Sequence, residues 1–278
     1  MYKKLRKFAI STVLFALAPA VQADYIGQDN FDYSDGALAG KNGGVGWALD
    51  GQKTSWTLNG GTGTISGKKL RIGSNGGQFF RRFGKTNASE SALQGAGRAF
   101  FAVDITMKNN RFEWAGISSY DGTSLNVERV FFGVTSGQFR ISVPTDPNGS
   151  YGSSQVSVNN LSVEANKTYR IVGLIDWKND KLKMWVNPDS KDTENTQDAQ
   201  LNYTHNNWSF GTRIGAGSGI DFDNVKIAKS FNEAAGVPEP ATLSLLVLGA
   251  TGLCARRNRT AKASKFAHHA KLHAQDLD

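Results

Sequence analysis

In segment after segment of this chain the apolar residues recur at every second position. No useful window of residues 24–236 repeats them at the 3.6-residue spacing of an α-helix. Leu182, Met184 and Val186 alternate with Lys181, Lys183 and Trp185; Phe101, Val103, Ile105 and Met107 alternate with Phe100, Ala102, Asp104 and Thr106. Side chains along a strand point to its two faces in turn, so this alternation predicts half-buried antiparallel strands. Further strands are predicted over 111–118, 128–134, 138–143, 169–177, 208–214 and 220–228. Turn chemistry separates them: Asn42-Gly43-Gly44, Asn59-Gly60-Gly61, Asn75-Gly76-Gly77 and the hairpin tip Lys178-Asn179-Asp180. Strands at roughly 8–12-residue spacing predict an all-β antiparallel sandwich or barrel. The polar run 189–202 reads as a long exposed loop.

The two ends of the chain are built differently. Lys3, Lys4, Arg6 and Lys7 precede a short apolar run, and Val21-Gln22-Ala23 supplies the small residues that signal peptidase needs, so cleavage is expected after Ala23. Near the other end Pro238-Glu239-Pro240 leads into an apolar run from Ala241 to Ala255, followed by Arg256, Arg257 and Arg259. As a helix, those 15 residues rise ~22 Å, short of the ~30 Å hydrocarbon core, yet local thinning and the flanking arginines let such a helix enter the bilayer. The arginines belong on the cytoplasmic side.

These ends account for the charge. The formal net charge is +8, from 32 Lys and Arg against 24 Asp and Glu. The leader holds four of the bases, and residues 237–278 hold six bases and three acids, which leaves 22 against 21 for residues 24–236. The exported part is close to neutral, so the basic pI is no argument for nucleic acid as a partner. Cys254 is the single cysteine and lies in the tail, so no disulfide framework supports the sandwich.

The order Pro238-Glu239-Pro240, apolar segment, basic cluster resembles the PEP-CTERM sorting signal of Gram-negative bacteria. The resemblance implies export, transient anchoring in the inner membrane through the apolar helix, and recognition of Pro238, Glu239 and Pro240 by an exosortase-type enzyme that removes the tail. It also implies a cell-surface, biofilm or extracellular-matrix setting. Asn30-Phe31-Asp32-Tyr33, Ile175-Asp176-Trp177 and 219–227 look like elements of exported concanavalin A-like lectin and laminin-G-like jelly rolls. The expected organisation is a signal peptide (1–23), a sandwich (24–230), a linker (231–236), the sorting signal (237–259) and a polar, basic extension (260–278).

Catalytic signals are weak. The Glu-x-Asp-x-x-Glu strand motif of concanavalin-like glycosidases is missing; the nearest acidic pair at strand spacing is Asp221 and Asp223, and Asp223-Asn224 reads as a bulge or strand-edge turn that bonds its own backbone. His205 is the one histidine of residues 24–236 and lacks a nucleophile elbow. The acidic loops 121–122, 146–149 and 189–194 would suit calcium better than zinc. Trp185, on the lysine face of its strand, is the first candidate for an exposed sugar platform, followed by Trp47 and Trp56. The expectation is a non-enzymatic surface protein that contacts polysaccharide or other envelope components. Its rivals are a glycoside hydrolase or polysaccharide lyase with a diverged site, and a purely structural coat protein.

Overall fold

The computed structural model describes residues 25–49, 51–83, 97–108, 113–120, 128–144, 151–189, 191–202 and 211–237. The signal peptide, Pro238-Glu239-Pro240, the apolar tail with its arginines, His205, and the loops 121–122 and 146–149 lie outside them.

Among the described residues the strands form two large antiparallel sheets packed face to face. The first runs from edge to edge as Ala199–Asn202, Lys181–Val186, Thr168–Asp176, Arg98–Met107, Ile220–Ala228, Lys69–Ile72, Thr64–Ser66 and Gly36–Ala37. The second runs Tyr151–Ser162, Gln138–Pro144, Glu128–Thr135, Trp114–Tyr120, Gly211–Ala216, Gly77–Arg82 and Thr57–Gly61. Of the two all-β antiparallel forms expected from the alternation, the sandwich is the fold observed, and the hairpin at 178–180 joins the two strands predicted to flank it. Asp176 closes that hairpin by accepting from the backbone N–H groups of Lys178 and Asn179.

The core lies between the sheets, where alternate residues of both meet. Phe101 and Val103 of one sheet face Phe132 and Ile117 of the other, and Phe139 packs edge-on against Tyr169 with ring centroids 4.9 Å apart. The sheets approach closely at Gly173, where any Cβ would stand 2.3 Å from the Phe132 ring. A side chain there would wedge the layers apart.

The strand Ile220–Ala228, the last of the sandwich, pairs with the first described strand as well as with two others. Its first residues pair with Lys69–Ile72 and its last with Tyr25–Asp29, while its other edge pairs with Arg98–Met107 throughout. The change of partner falls at a bulge between Asp223 and Lys226, where Asn224 takes φ 47° and donates from its backbone N–H to Asp223. Asp223-Asn224 therefore sits at a bulge, as its sequence suggested, while Asp221 is paired in regular register with Arg71 and Thr106.

Residues 231–236 differ from expectation. They are not a bare linker but form the short helix α1 (Phe231–Ala235), which lies on the outer face of the first sheet. Ser230 caps it: its hydroxyl accepts from the Glu233 backbone, and the Glu233 carboxylate accepts from the Ser230 backbone. Gly236 ends it at φ 75°, and the N–H groups of Gly236 and Val237 both donate to the Asn232 carbonyl. Arg170 ties the helix down by donating to the carbonyls of Ala234 and Asn224 and to Asp104.

Candidate functional site

The tryptophans chosen from sequence as ligand platforms are buried. Trp185 is 1% exposed. It shares a strand face with Lys181 and Lys183, but α1 covers that face at Trp185: Phe231 packs on the indole at 4.9 Å, Phe100 lies beside it at 6.3 Å, and the indole N–H donates to the Thr193 carbonyl. Trp47 and Trp56 are equally enclosed, against a buried ion pair. Arg81 donates to the Asp29 carboxylate at 2.7 Å, and its guanidinium lies over both indoles, 4.8 Å from Trp47 and 5.6 Å from Trp56. The same carboxylate accepts from the Trp56 indole N–H, the Tyr33 hydroxyl and the Phe31 backbone N–H. Burial, reinforced by the bond to Asp29, pushes the Tyr33 phenol above its ordinary range. This is a structural cluster centred on the fully engaged Asp29 carboxylate, in which the Trp47 indole N–H and the Arg81 Nε are buried without a hydrogen-bond partner. It closes the glycine-rich opening onto the sandwich and leaves no indole face for a sugar.

Asp221 is engaged as well. It bonds Arg71 at 3.0 Å and Lys108 at 3.1 Å. Burial alone would raise its carboxyl; the bonds from Arg71 and Lys108 outweigh that and hold it below the usual range. Burial raises Asp223, against the Asn224 backbone bond and Lys69. A depressed folded value stabilises the fold above the unfolded pKa of about 3.9 and loses that contribution as pH falls through the folded value. Asp221→Asn is therefore expected to flatten the acid limb of the stability curve, checked by urea midpoints between pH 7 and pH 2; an acid slope equal to the native one would contradict the assignment. In the 189–198 loop, Asp189 and Asp192 accept backbone N–H bonds within their own turn. Among the described residues no group of three or more His, Cys, Asp or Glu is placed to hold a metal ion.

The feature that sequence reading missed is on the outer face of the second sheet. Register places Gly133, Gly116 and Gly215 side by side on three neighbouring strands, flanked by Arg140 at one end and Gln78 at the other. The parallel row beside it reads Gln155, Ser142, Phe131, Ser118, Arg213, Phe80. On the opposite side stand Thr135 and Trp114, themselves a cross-strand pair. Glycines thus form the floor of a trough that crosses the strands, with side chains along both flanks.

Rings lean into it. A Cβ on Gly116 or Gly133 would meet the Phe131 ring at 2.9 or 2.6 Å, and one on Gly215 would meet the Trp114 indole at 2.9 Å. The resulting groove has a volume of about 400 Å³ and is lined by Gln78, Trp114, Phe131, Thr135, Ser142, Gln155 and Arg213. Trp114 is half-buried there, unlike the three indoles above. The Arg213 guanidinium lies 5.6 Å from the Trp114 ring and 5.4 Å from Tyr120, and donates to the Gln78 side-chain carbonyl at 3.0 Å. The available signal was glycine inside strand-like runs, which marks a place where a ring, a backbone or a ligand comes close.

No curated protein matches the chain in sequence. Among solved structures it is similar to a Trypanosoma rangeli sialidase (12% identity, TM-score 0.48, covering 75% of this chain and 31% of that one). It is also similar to the carbohydrate binding module CBM66 from Bacillus subtilis (15%, 0.42, 62% and 94%) and to the binding domain of botulinum neurotoxin serotype D (10%, 0.45, 70% and 47%). The chain spans 17% of the length of another sialidase to which it is similar, and 47% of a mosaic serotype C/D neurotoxin binding domain. At the C-terminus residues 236–259 match the PEP-CTERM protein-sorting motif, which begins on the Gly236 that caps α1 and contains Pro238, Glu239 and Pro240. The chain is a β-sandwich protein carrying a PEP-CTERM sorting motif, the mark of an exported, exosortase-processed surface protein.

Proposed function

We propose that this surface protein holds extracellular polysaccharide, without cleaving it, in the trough across its second sheet. The observation that carries the reading is the row Gly133, Gly116, Gly215 with the Phe131 and Trp114 rings leaning onto it and Gln78, Gln155 and Arg213 around them. Aromatic surface beside a few fixed polar groups is the chemistry that recognises a sugar ring, apolar on its faces and hydroxylated at its rim. The row from Gln155 to Phe80 crosses six strands, about 24 Å at a ~4.8 Å spacing, which suits an extended chain better than one sugar. The sorting motif supports the setting, because it delivers the sandwich to the envelope where such polymers lie. Calcium has no role in this reading.

The test is retention of the purified full-length chain, in detergent, on a panel of immobilised bacterial and plant polysaccharides. Saturable binding to one class is expected. Trp114→Ala should weaken it roughly tenfold, since an aromatic stacking contact contributes ~0.5–1.5 kcal/mol beyond its buried area. Binding unchanged by Trp114→Ala, or released reducing ends and unsaturated products, would remove the reading.

A further inference from the structure

We infer that the polymer held in the trough is acidic, with carboxylates on its sugars; the inference rests on the polysaccharide reading above. It comes from where the acceptor atoms of the groove point. Gln78 accepts from Arg213 at 3.0 Å, Gln155 accepts from Arg140 at 2.9 Å, and Gln138, at the end of the neighbouring row, accepts from Arg140 at 2.6 Å. A guanidinium only donates, so these bonds fix the orientation of all three amides: each carbonyl oxygen faces an arginine and each –NH₂ turns the other way. The groove thus presents amide N–H groups of Gln78 and Gln155, and each of these carbonyls already accepts one bond from an arginine, which leaves the Thr135 and Ser142 hydroxyls as the other acceptors of the lining.

Charge points the same way. Arg140 and Arg213 stand in the two rows, and no Asp or Glu lines the groove or occupies either row among the described side chains. Asp104, Asp221 and Asp223 lie on the outer face of the other sheet. A neutral sugar hydroxyl both donates and accepts, and a site for it uses acceptors as well as donors. A carboxylate only accepts. Planar donors beside two guanidinium groups, with aromatic rings leaning over the glycine floor, complement a ring that bears a carboxylate. The amides are fixed by the arginines and the arginines by the amides, so the donor array is set before any ligand arrives.

The experiment uses the full-length chain in detergent over four immobilised polymers: polygalacturonate, its methyl-esterified form, dextran sulfate and dextran. Polygalacturonate is expected to bind at least about tenfold more tightly than the ester or dextran, and more tightly than dextran sulfate, with affinity falling as salt rises. Gln155→Glu, a nearly isosteric change at an exposed position, is expected to cost about tenfold on polygalacturonate with an unchanged melting temperature. Equal binding to acid and ester, still sensitive to Trp114→Ala, would overturn the acidic ligand and leave the polysaccharide reading standing. Preference for dextran sulfate would overturn the carboxylate. Binding of none of the four polymers, or of any other on the wider panel, would overturn both readings. Gln155→Glu binding polygalacturonate as well as the native chain would overturn the role of the donor array.

Discussion

Asp29→Asn is expected to cost about 3–5 kcal/mol of unfolding free energy, a large part of the stability of a domain this size. Asp29 is 1% exposed and Arg81 fully buried, so the change leaves a guanidinium in the interior without its counter-charge. The loss is larger than the one ion pair suggests. The carboxylate collects donors from Arg81, Trp56, Tyr33 and Phe31, and an amide in its place turns a donor toward some of them. Arg81 in turn donates to the carbonyls of Gly43 and Thr54, pinning both arms of the glycine-rich opening against the sandwich. Urea unfolding of the native chain and the variant would measure the cost. The coupling is tested by adding Arg81→Met: with both charges gone, the double variant should regain part of the loss. A single-variant cost under about 1 kcal/mol, or strict additivity, would show that the pair is not the organising contact described here.

Trp185→Ala is expected to cost about 3–5 kcal/mol as well, by a different route. The indole fills the space between the first sheet and α1, touching Phe100 and Phe231, and its removal leaves a cavity that a helix of five residues cannot collapse to fill. The helix should detach, and amide exchange at Gly236 and Val237, now held by the Asn232 carbonyl, should rise toward the unprotected rate. Polysaccharide binding by the folded fraction should not change, because the trough lies on the far sheet. A variant that folds normally but loses binding would return Trp185 to the role its sequence position suggested.

These two residues show what the sequence carried and where it stopped. Strand positions were legible because the period of two is local: Phe101, Val103, Ile105 and Met107 announce their own face. The second signal in that strand, apolar Phe100 and Ala102 on the opposite face, already required a cover, and Ser230-Phe231-Asn232-Glu233 spelled the capping box of the helix that supplies it. Five helical residues give no periodicity to read, so Trp185 seemed open to solvent. Trp47 and Trp56 misled for another reason. Glycine-rich surroundings suggested exposure, while the ion pair that buries them joins residues 52 positions apart. The trough was spelled in single letters, Gly116, Gly133 and Gly215, but only strand register brings them into line. The sorting motif needed no fold at all, since its order along the chain is its meaning.

The cap of α1 is also where the sorting motif starts. Val237 is still hydrogen-bonded to Asn232, and Pro238 follows at once. The sorting motif therefore begins on a helix that is packed against the sandwich, with no described residue between the two. Since α1 rests on the outer face of the first sheet, Val237 lies on that side of the sandwich, and the glycine trough faces the opposite way.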